Sequence, residues 1–223
     1  MSAIFILVLQ LSGLIAGAAQ PLPTFTRLQD RPAIKNILFF GNSLSAGYGL
    51  DPSEAFPAMI QQRIDSLGLA YNVINAGLSG ETSAGGLRRI DWLLQRHLDI
   101  LVLELGANDG LRGIALTDTR RNLQGIIDRT KQKYPNAKIV IAGMQVPPNL
   151  GKTYTQAFRA LFPELAQKNN AALIPFLLEG VGGVPALNLA DGIHPNAAGH
   201  RRVAENVWKT LRPVIKSQDA NNH

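Results

Sequence analysis

With 223 residues, 46% of them hydrophobic, the chain can bury one good core, and a single domain is the simplest reading. Its net charge of +6 comes from 22 basic and 16 acidic residues spread along the chain, the longest basic runs being the pairs Arg88-Arg89, Arg120-Arg121 and Arg201-Arg202. With only 6% aromatic residues this pattern fits solvated helix faces and argues against a nucleic-acid groove; the absence of cysteine excludes a disulfide framework and lipid attachment through a cysteine.

Residues 1–19 contain no charged side chain and run through Ile4-Phe5-Ile6-Leu7-Val8-Leu9, Leu11, Leu14 and Ile15 to Ala16-Gly17-Ala18-Ala19. A short apolar core followed by small residues is the pattern of a secretory signal, and Pro21 and Pro23 stop any continuing helix. The run is at the short end for spanning a bilayer, so cleavage near Ala18 or Ala19 is expected rather than anchoring. The expected division is a signal over 1–19, a linker over 20–34, one folded domain over 35–216 and a tail over 217–223. The destination is the periplasm or the exterior.

The first strand is read in Asn36-Ile37-Leu38-Phe39-Phe40-Gly41, whose unbroken apolar run suits a strand buried on both faces of a parallel sheet. It delivers Ser43 to its carboxyl end. A helix is expected over 53–67 from the spacing of Phe56, Met59, Ile60, Ile64 and Leu67, with Gly68 ending it. Residues 71–76 form the second strand, leading through the turn-rich segment 77–83 into a helix carrying Leu87, Ile90, Leu93 and Leu94. Residues 100–105 form the third strand and end in Gly106-Ala107-Asn108-Asp109-Gly110. Thr117 can cap the next helix, which runs to Tyr134 before Pro135. Residues 138–143 are the fourth strand, and a helix through Phe158, Leu161, Phe162 and Leu165 follows, kinked or broken by Pro163. Residues 172–176 make a short fifth strand whose proline argues for a sheet edge. After a long loop, Pro195 takes the first turn of a last helix with a stripe of Val203, Val207, Trp208 and Leu211. Strands and helices in strict alternation predict an α/β fold: a five-stranded parallel sheet between two helical layers, with right-handed crossovers.

In such a fold every strand-to-helix loop lies on one rim. These loops carry Ser43, Gly80, Asn108, and Asp191 with His194. Acyl hydrolysis needs a nucleophile, a base, a carboxylate that orients the base, and donors for the oxyanion. Ser43 fits the first and His194 the second. Asp191, three residues before it, can reach one imidazole nitrogen and leave the other for Ser43. The Ser43 and Gly80 backbone amides and the Asn108 side-chain amide are the candidate oxyanion donors. Taken singly, each residue could be a cap or turn residue, so the weight lies in their convergence. His97, His200 and His223 are read as structural or surface histidines, and no recognised zinc spacing occurs.

Gly41-Asn42-Ser43-Leu44-Ser45, Gly80, Gly106-Ala107-Asn108-Asp109 and Asp191-Gly192-Ile193-His194-Pro195 together resemble the four blocks of the GDSL, or SGNH, hydrolases. The likeness is greatest to the branch of bacterial periplasmic thioesterase I, lysophospholipase L1 and arylesterase, and covers residues 37–211. It implies a flavodoxin-like sheet, catalytic Ser43, Asp191 and His194, oxyanion donors Ser43, Gly80 and Asn108, and no metal or organic cofactor. One departure is plain: the first block of that family has Asp before the serine, and this chain has Asn42.

Apolar loop residues Leu111, Ile114, Val146, Leu150, Val184, Leu187 and Leu189 are candidates to line an acyl groove, with Leu111, Ile114, Val146 and Leu187 foremost. The expected substrate is therefore a small-molecule acyl ester or lysophospholipid, with thioesters also in range. A monomer is expected, making transient contact with a membrane surface. A short-chain acetyl carbohydrate esterase is the enzymatic alternative, and a flavodoxin-like binding module the non-enzymatic one. The chain lacks a G-x-G-x-x-G after a strand, a phosphate-binding G-x-x-x-x-G-K-[ST] and the G-x-S-x-G elbow.

Overall fold

The computed structural model of the protein describes residues 33–220. Five parallel strands form one sheet: β1 (Lys35–Gly41), β2 (Tyr71–Asn75), β3 (Ile100–Glu104), β4 (Lys138–Ala142) and β5 (Ala172–Ile174), in the order β2-β1-β3-β4-β5. Ile37 is in register with Val73 on one side and with Ile100 on the other. Ile37, Phe39 and Phe40 of β1 and Ile100 and Leu101 of β3 are wholly buried, as expected for central strands covered on both faces. The short β5 is an edge strand.

The helices are α1 (Ser43–Ala46), α2 (Phe56–Ser66), α3 (Ser83–Leu93), α4 (Ala107–Leu111), α5 (Leu116–Lys133), α6 (Lys152–Lys168) and α7 (Ala197–Ala220). α2 packs on α7, while α3 packs on α5 and α5 on α6. Right-handed crossovers place these two groups on opposite faces of the sheet, because strand order reverses at β1. That reversal lies between β1 and β3, outside whose carboxyl ends ligands bind in sheets of this type.

Several local expectations are corrected. Residues 53–67 are not one helix: a 3₁₀ turn at Pro52–Glu54 precedes α2, because Asp51 accepts from the Ser53 N–H at 2.9 Å and caps the turn separately. Thr117 lies inside the first turn of α5, whose start is set by the Ala115 carbonyl accepting from the Asp118 and Thr119 N–H groups. Pro195 precedes α7 and bridges to Asn188, and the Asn196 side chain caps the helix by accepting from the Gly199 N–H at 3.0 Å. α6 continues through Pro163: Phe158, Leu161, Phe162 and Leu165 are all buried, and their packing outweighs the lost backbone bond. The short helices α1 and α4 stand where only loops were read. The signal and most of the linker expected before residue 33, and His223, lie outside the described residues.

Candidate active site

β1 ends at Gly41, and the chain turns at once into α1. The Asn42 Oδ1 accepts from the Leu44 N–H at 2.9 Å, which caps the turn, and Gly47 closes it in the left-handed conformation with φ 75°. Ser43 is thereby the first residue of α1, half-buried, above the ends of β1 and β3. Beneath it lies Glu104, the last residue of β3, in register with Gly41 and 0% exposed. One of its oxygens, Oε2, accepts from the Asn42 N–H at 3.1 Å, the Ser45 N–H at 3.1 Å and the Ser45 hydroxyl at 2.7 Å.

The second part of the site is the loop before α7. The Leu189 N–H donates to the His194 carbonyl at 2.7 Å, and Gly192, at φ 67°, donates to the Leu189 carbonyl at 2.9 Å. Inside this tight loop the Asp191 Oδ1 accepts from the backbone N–H groups of Ile193 at 2.9 Å and His194 at 3.0 Å. Its Oδ2 lies 2.6 Å from His194 Nδ1. The bond to the His194 ring, followed by the two backbone bonds, holds the Asp191 carboxyl down to about 2. An ionised carboxylate only accepts, so Nδ1 must carry the proton and Nε2 is left as an acceptor. That Nε2 lies 2.9 Å from Ser43 Oγ. The other neighbour of the hydroxyl, Asn42 Oδ1, is 3.5 Å away, too far to compete for its proton.

Donors stand on the two neighbouring loops. The Leu78 N–H donates to the Gly41 carbonyl at 3.0 Å, tying the loop after β2 to the end of β1. Gly80 sits at φ 78°, and its carbonyl is engaged by Arg112 Nη2 at 3.1 Å. Asn108, in α4, donates one side-chain hydrogen to the Glu81 carbonyl at 2.9 Å, which fixes the amide and leaves its second hydrogen free. The loop and α4 are further joined by the buried Asp109 carboxylate, which accepts from the Ser83 N–H at 2.8 Å and from the Ser83 hydroxyl. Among the described residues neither the Ser43 nor the Gly80 N–H donates to another backbone group. An alcohol, an imidazole with a free acceptor nitrogen and an ionised carboxylate thus meet, and uncommitted N–H donors stand on the adjoining loops. Such a set can move a proton off the hydroxyl and bind a developing oxyanion.

The apolar candidates divide. Leu111 is 46% exposed, Ile114 is half-buried and its carbonyl accepts from the Tyr154 hydroxyl at 3.2 Å, while Val146 and Leu187 pack against the core. Tyr48 and Glu104 were missed by sequence reasoning. A lone glutamate at the end of an apolar strand, as in Ile100-Leu101-Val102-Leu103-Glu104, was the signal available for the second; Tyr48 left none. Among the described residues no group of three or more His, Asp or Glu side chains is placed to hold a metal ion.

Comparison with known proteins agrees with this geometry. The chain matches the GDSL-like lipase/acylhydrolase family over residues 39–202. It is 43% identical to Esterase TesA of Pseudomonas aeruginosa over 189 residues, 84% of this chain and 93% of that protein. It is 38% identical to the thioesterase 1/protease 1/lysophospholipase L1 of Escherichia coli over 184 residues, 82% of this chain and 86% of that one. The crystal structure of TesA superposes with a TM-score of 0.77 at 44% identity, covering 80% of this chain and 99% of that one. The psychrotrophic esterase EstA from Pseudoalteromonas gives 0.77 at 32% identity, over 82% and 99%. With its fold and these relatives in agreement, the chain belongs to the GDSL-like lipase/acylhydrolase family, as a hydrolase of ester bonds.

Proposed function

We propose that the protein hydrolyses acyl esters through an acyl-enzyme on Ser43. The observation that carries this reading is the unbroken chain from Ser43 Oγ through His194 to Asp191, at 2.9 and 2.6 Å. In the first half-reaction the Ser43 oxygen attacks the acyl carbonyl carbon as His194 Nε2 takes its proton. The bond to the leaving alcohol or thiol then breaks, and His194 returns the proton to it. In the second half a water gives its proton to His194 and attacks the acyl carbon, releasing the carboxylate and restoring the serine. Asp191 keeps the imidazole in the required tautomer, and the Ser43 N–H, the Gly80 N–H and the free hydrogen of Asn108 receive the oxyanion.

The substrate side of the reading rests on the rim. Tyr48, Leu78, Leu111, Leu150, Val184 and Ile193 are exposed large apolar or aromatic residues, and they represent all five connections that follow the strands. Such a rim suits medium or long acyl chains and lysophospholipids presented at a membrane surface. Export follows from the apolar, uncharged residues 1–19, with the folded domain beginning at residue 35.

Two measurements test this. A phosphonate ester that mimics the tetrahedral intermediate should label Ser43, as read by mass spectrometry; labelling elsewhere overturns the nucleophile. Rates on chromogenic acyl esters of increasing chain length should rise beyond acetyl, and a steep preference for acetyl would favour a carbohydrate deacetylase.

A further inference from the structure

Glu104 is a wholly buried carboxylate that the acyl-transfer steps do not use, yet it lies under the turn that presents the nucleophile. Its surroundings are one-sided. Oε2 accepts three donors, two from backbone N–H groups on either side of Ser43 and one from the Ser45 hydroxyl. Oε1 has no partner, and Asn42 Nδ2, a donor on the adjoining residue, also has none. A carboxylic proton on Oε1 would therefore find no acceptor, and one on Oε2 would displace two backbone donors and leave only the Ser45 hydroxyl oxygen to accept it. The site is shaped for the ionised form. We infer that Glu104, as a carboxylate, is the positioning residue of the nucleophile turn, and that Asn42 is the partner that lets it carry its charge there.

The physical argument has two sides. An ionised acceptor binds backbone N–H groups more strongly than a neutral one, so the charge fixes Asn42 and Ser45 and, between them, the direction of the Ser43 hydroxyl toward His194. Burial opposes that charge. It is the largest influence on Glu104 and pushes its carboxyl up to about 7, against the lowering effects of the Ser45 and Asn42 hydrogen bonds. β1 and its turn present Gly41 and Asn42 to the group and α1 presents Ser45; none is charged, and no acid or base on a neighbouring element acts on it. An aspartate at position 42, as in the family's first block, would set a second carboxylate against it. Two carboxylates in one buried site share a proton, and Glu104 would then be neutral over a wider range of pH. The asparagine removes that competition while keeping the capping oxygen on the Leu44 N–H.

The inference rests on Ser43 being the nucleophile, and the test separates the two. Glu104→Gln keeps the shape and removes the charge. The expected result is a kcat about ten- to a hundredfold lower with KM within about threefold, and an acidic limb of kcat/KM that falls less steeply than in the unaltered protein, because position 104 no longer takes up a proton. Asp191, held down to about 2, contributes nothing to that limb. A purely structural Glu104 would instead lower the melting temperature at pH 8. Here it should be unchanged or raised, since a buried charge has been removed. Asn42→Asp should move the acidic limb upward by about one pH unit or more. If Glu104→Gln does not fold, Ser45→Ala decides, since losing one donor to the carboxylate should also move the limb upward. Unaltered kcat and pH profile in Glu104→Gln, or an unmoved limb in the other two, overturns the inference. Full activity in Ser43→Ala would overturn the reading beneath it.

Discussion

The Tyr48 ring tilts over the His194 ring, with centroids 4.5 Å and planes 37° apart. Tyr48 is held there by its own backbone, whose N–H donates to the Ser43 carbonyl at 3.1 Å, so Ser43 and the ring are fixed by one turn. In the proposed reaction His194, having taken the hydroxyl proton, becomes a cation against an aromatic ring, an interaction worth about 0.5–1 kcal/mol at a half-exposed position. Tyr48→Leu should therefore lower kcat about two- to fivefold, and Tyr48→Phe should leave it near the original value. Steady-state rates on a soluble chromogenic ester check this. An equal loss in both variants would assign the effect to the hydroxyl and remove the ring from the account.

Asn108 spends one amide hydrogen on the Glu81 carbonyl, so its orientation is set before substrate arrives. Removing such a donor costs about two to three orders of magnitude in kcat with little change in substrate binding. Asn108→Ala is expected to show that split, and Asn108→Asp to be at least as poor, because a carboxylate offers no donor and repels the oxyanion. A change confined to KM would move Asn108 from the reacting oxygen to general substrate binding.

β1, β3 and β4 were legible because their signal is short range, an apolar run closed by a nearby glycine, and all five strands were placed to within a residue or two of their observed ends. The meeting of Ser43 with His194 across 151 positions was legible only through topology, which sends every strand end to one rim. Other features depend on partners distant in sequence. Thr117 looks like a cap, yet packing of Leu116 against the core draws the start of α5 forward. Pro195 looks like a helix opener, yet its bridge to Asn188 holds it outside α7, where it stiffens the loop that carries His194. Glu104 reads as a strand residue because nothing local announces the three donors beneath the nucleophile turn.

His200 is buried on α7, and its Nδ1 accepts from the Phe56 N–H at 3.1 Å, capping α2, whose own Ala55 has no capping side chain. Burial, and secondarily the charge of His194, lower its pKa from 6.5 to about 4. Below pH 6.5 the unfolded chain takes up a proton that the folded protein refuses until about pH 4. Stability from this residue is therefore full above 6.5 and is lost on acidification toward 4, by ~3 kcal/mol. Glu104 works in the opposite direction between about 4.5 and 7, because its raised pKa favours the folded state at the acidic end. The comparison must be a difference. Urea unfolding of the unaltered protein and of His200→Gln at several pH values should show their gap narrowing as pH falls from 6.5 to 4, and a constant gap would deny that His200 titrates on unfolding.

Gly77 shows how the loop after β2 braces the nucleophile turn. A Cβ there would fall 2.7 Å from the Ser45 carbonyl carbon and 2.8 Å from the Ala46 Cα, and backbone atoms cannot swing aside as a side chain can. The same turn is gripped by the Asn75 side chain, which donates to the Ser45 carbonyl at 2.7 Å. Gly77→Ala should therefore displace α1, costing about 1–3 kcal/mol of stability and lowering kcat at least tenfold, because α1 begins with Ser43. Gly68 is the control: it lies at φ 64° after α2 with open space around it, so Gly68→Ala meets only the backbone penalty of about 1–2 kcal/mol and should leave kcat untouched. Two variants of comparable stability cost but different kcat would tie the close approach at Gly77 to the reaction, whereas equal kcat values would reduce it to packing alone.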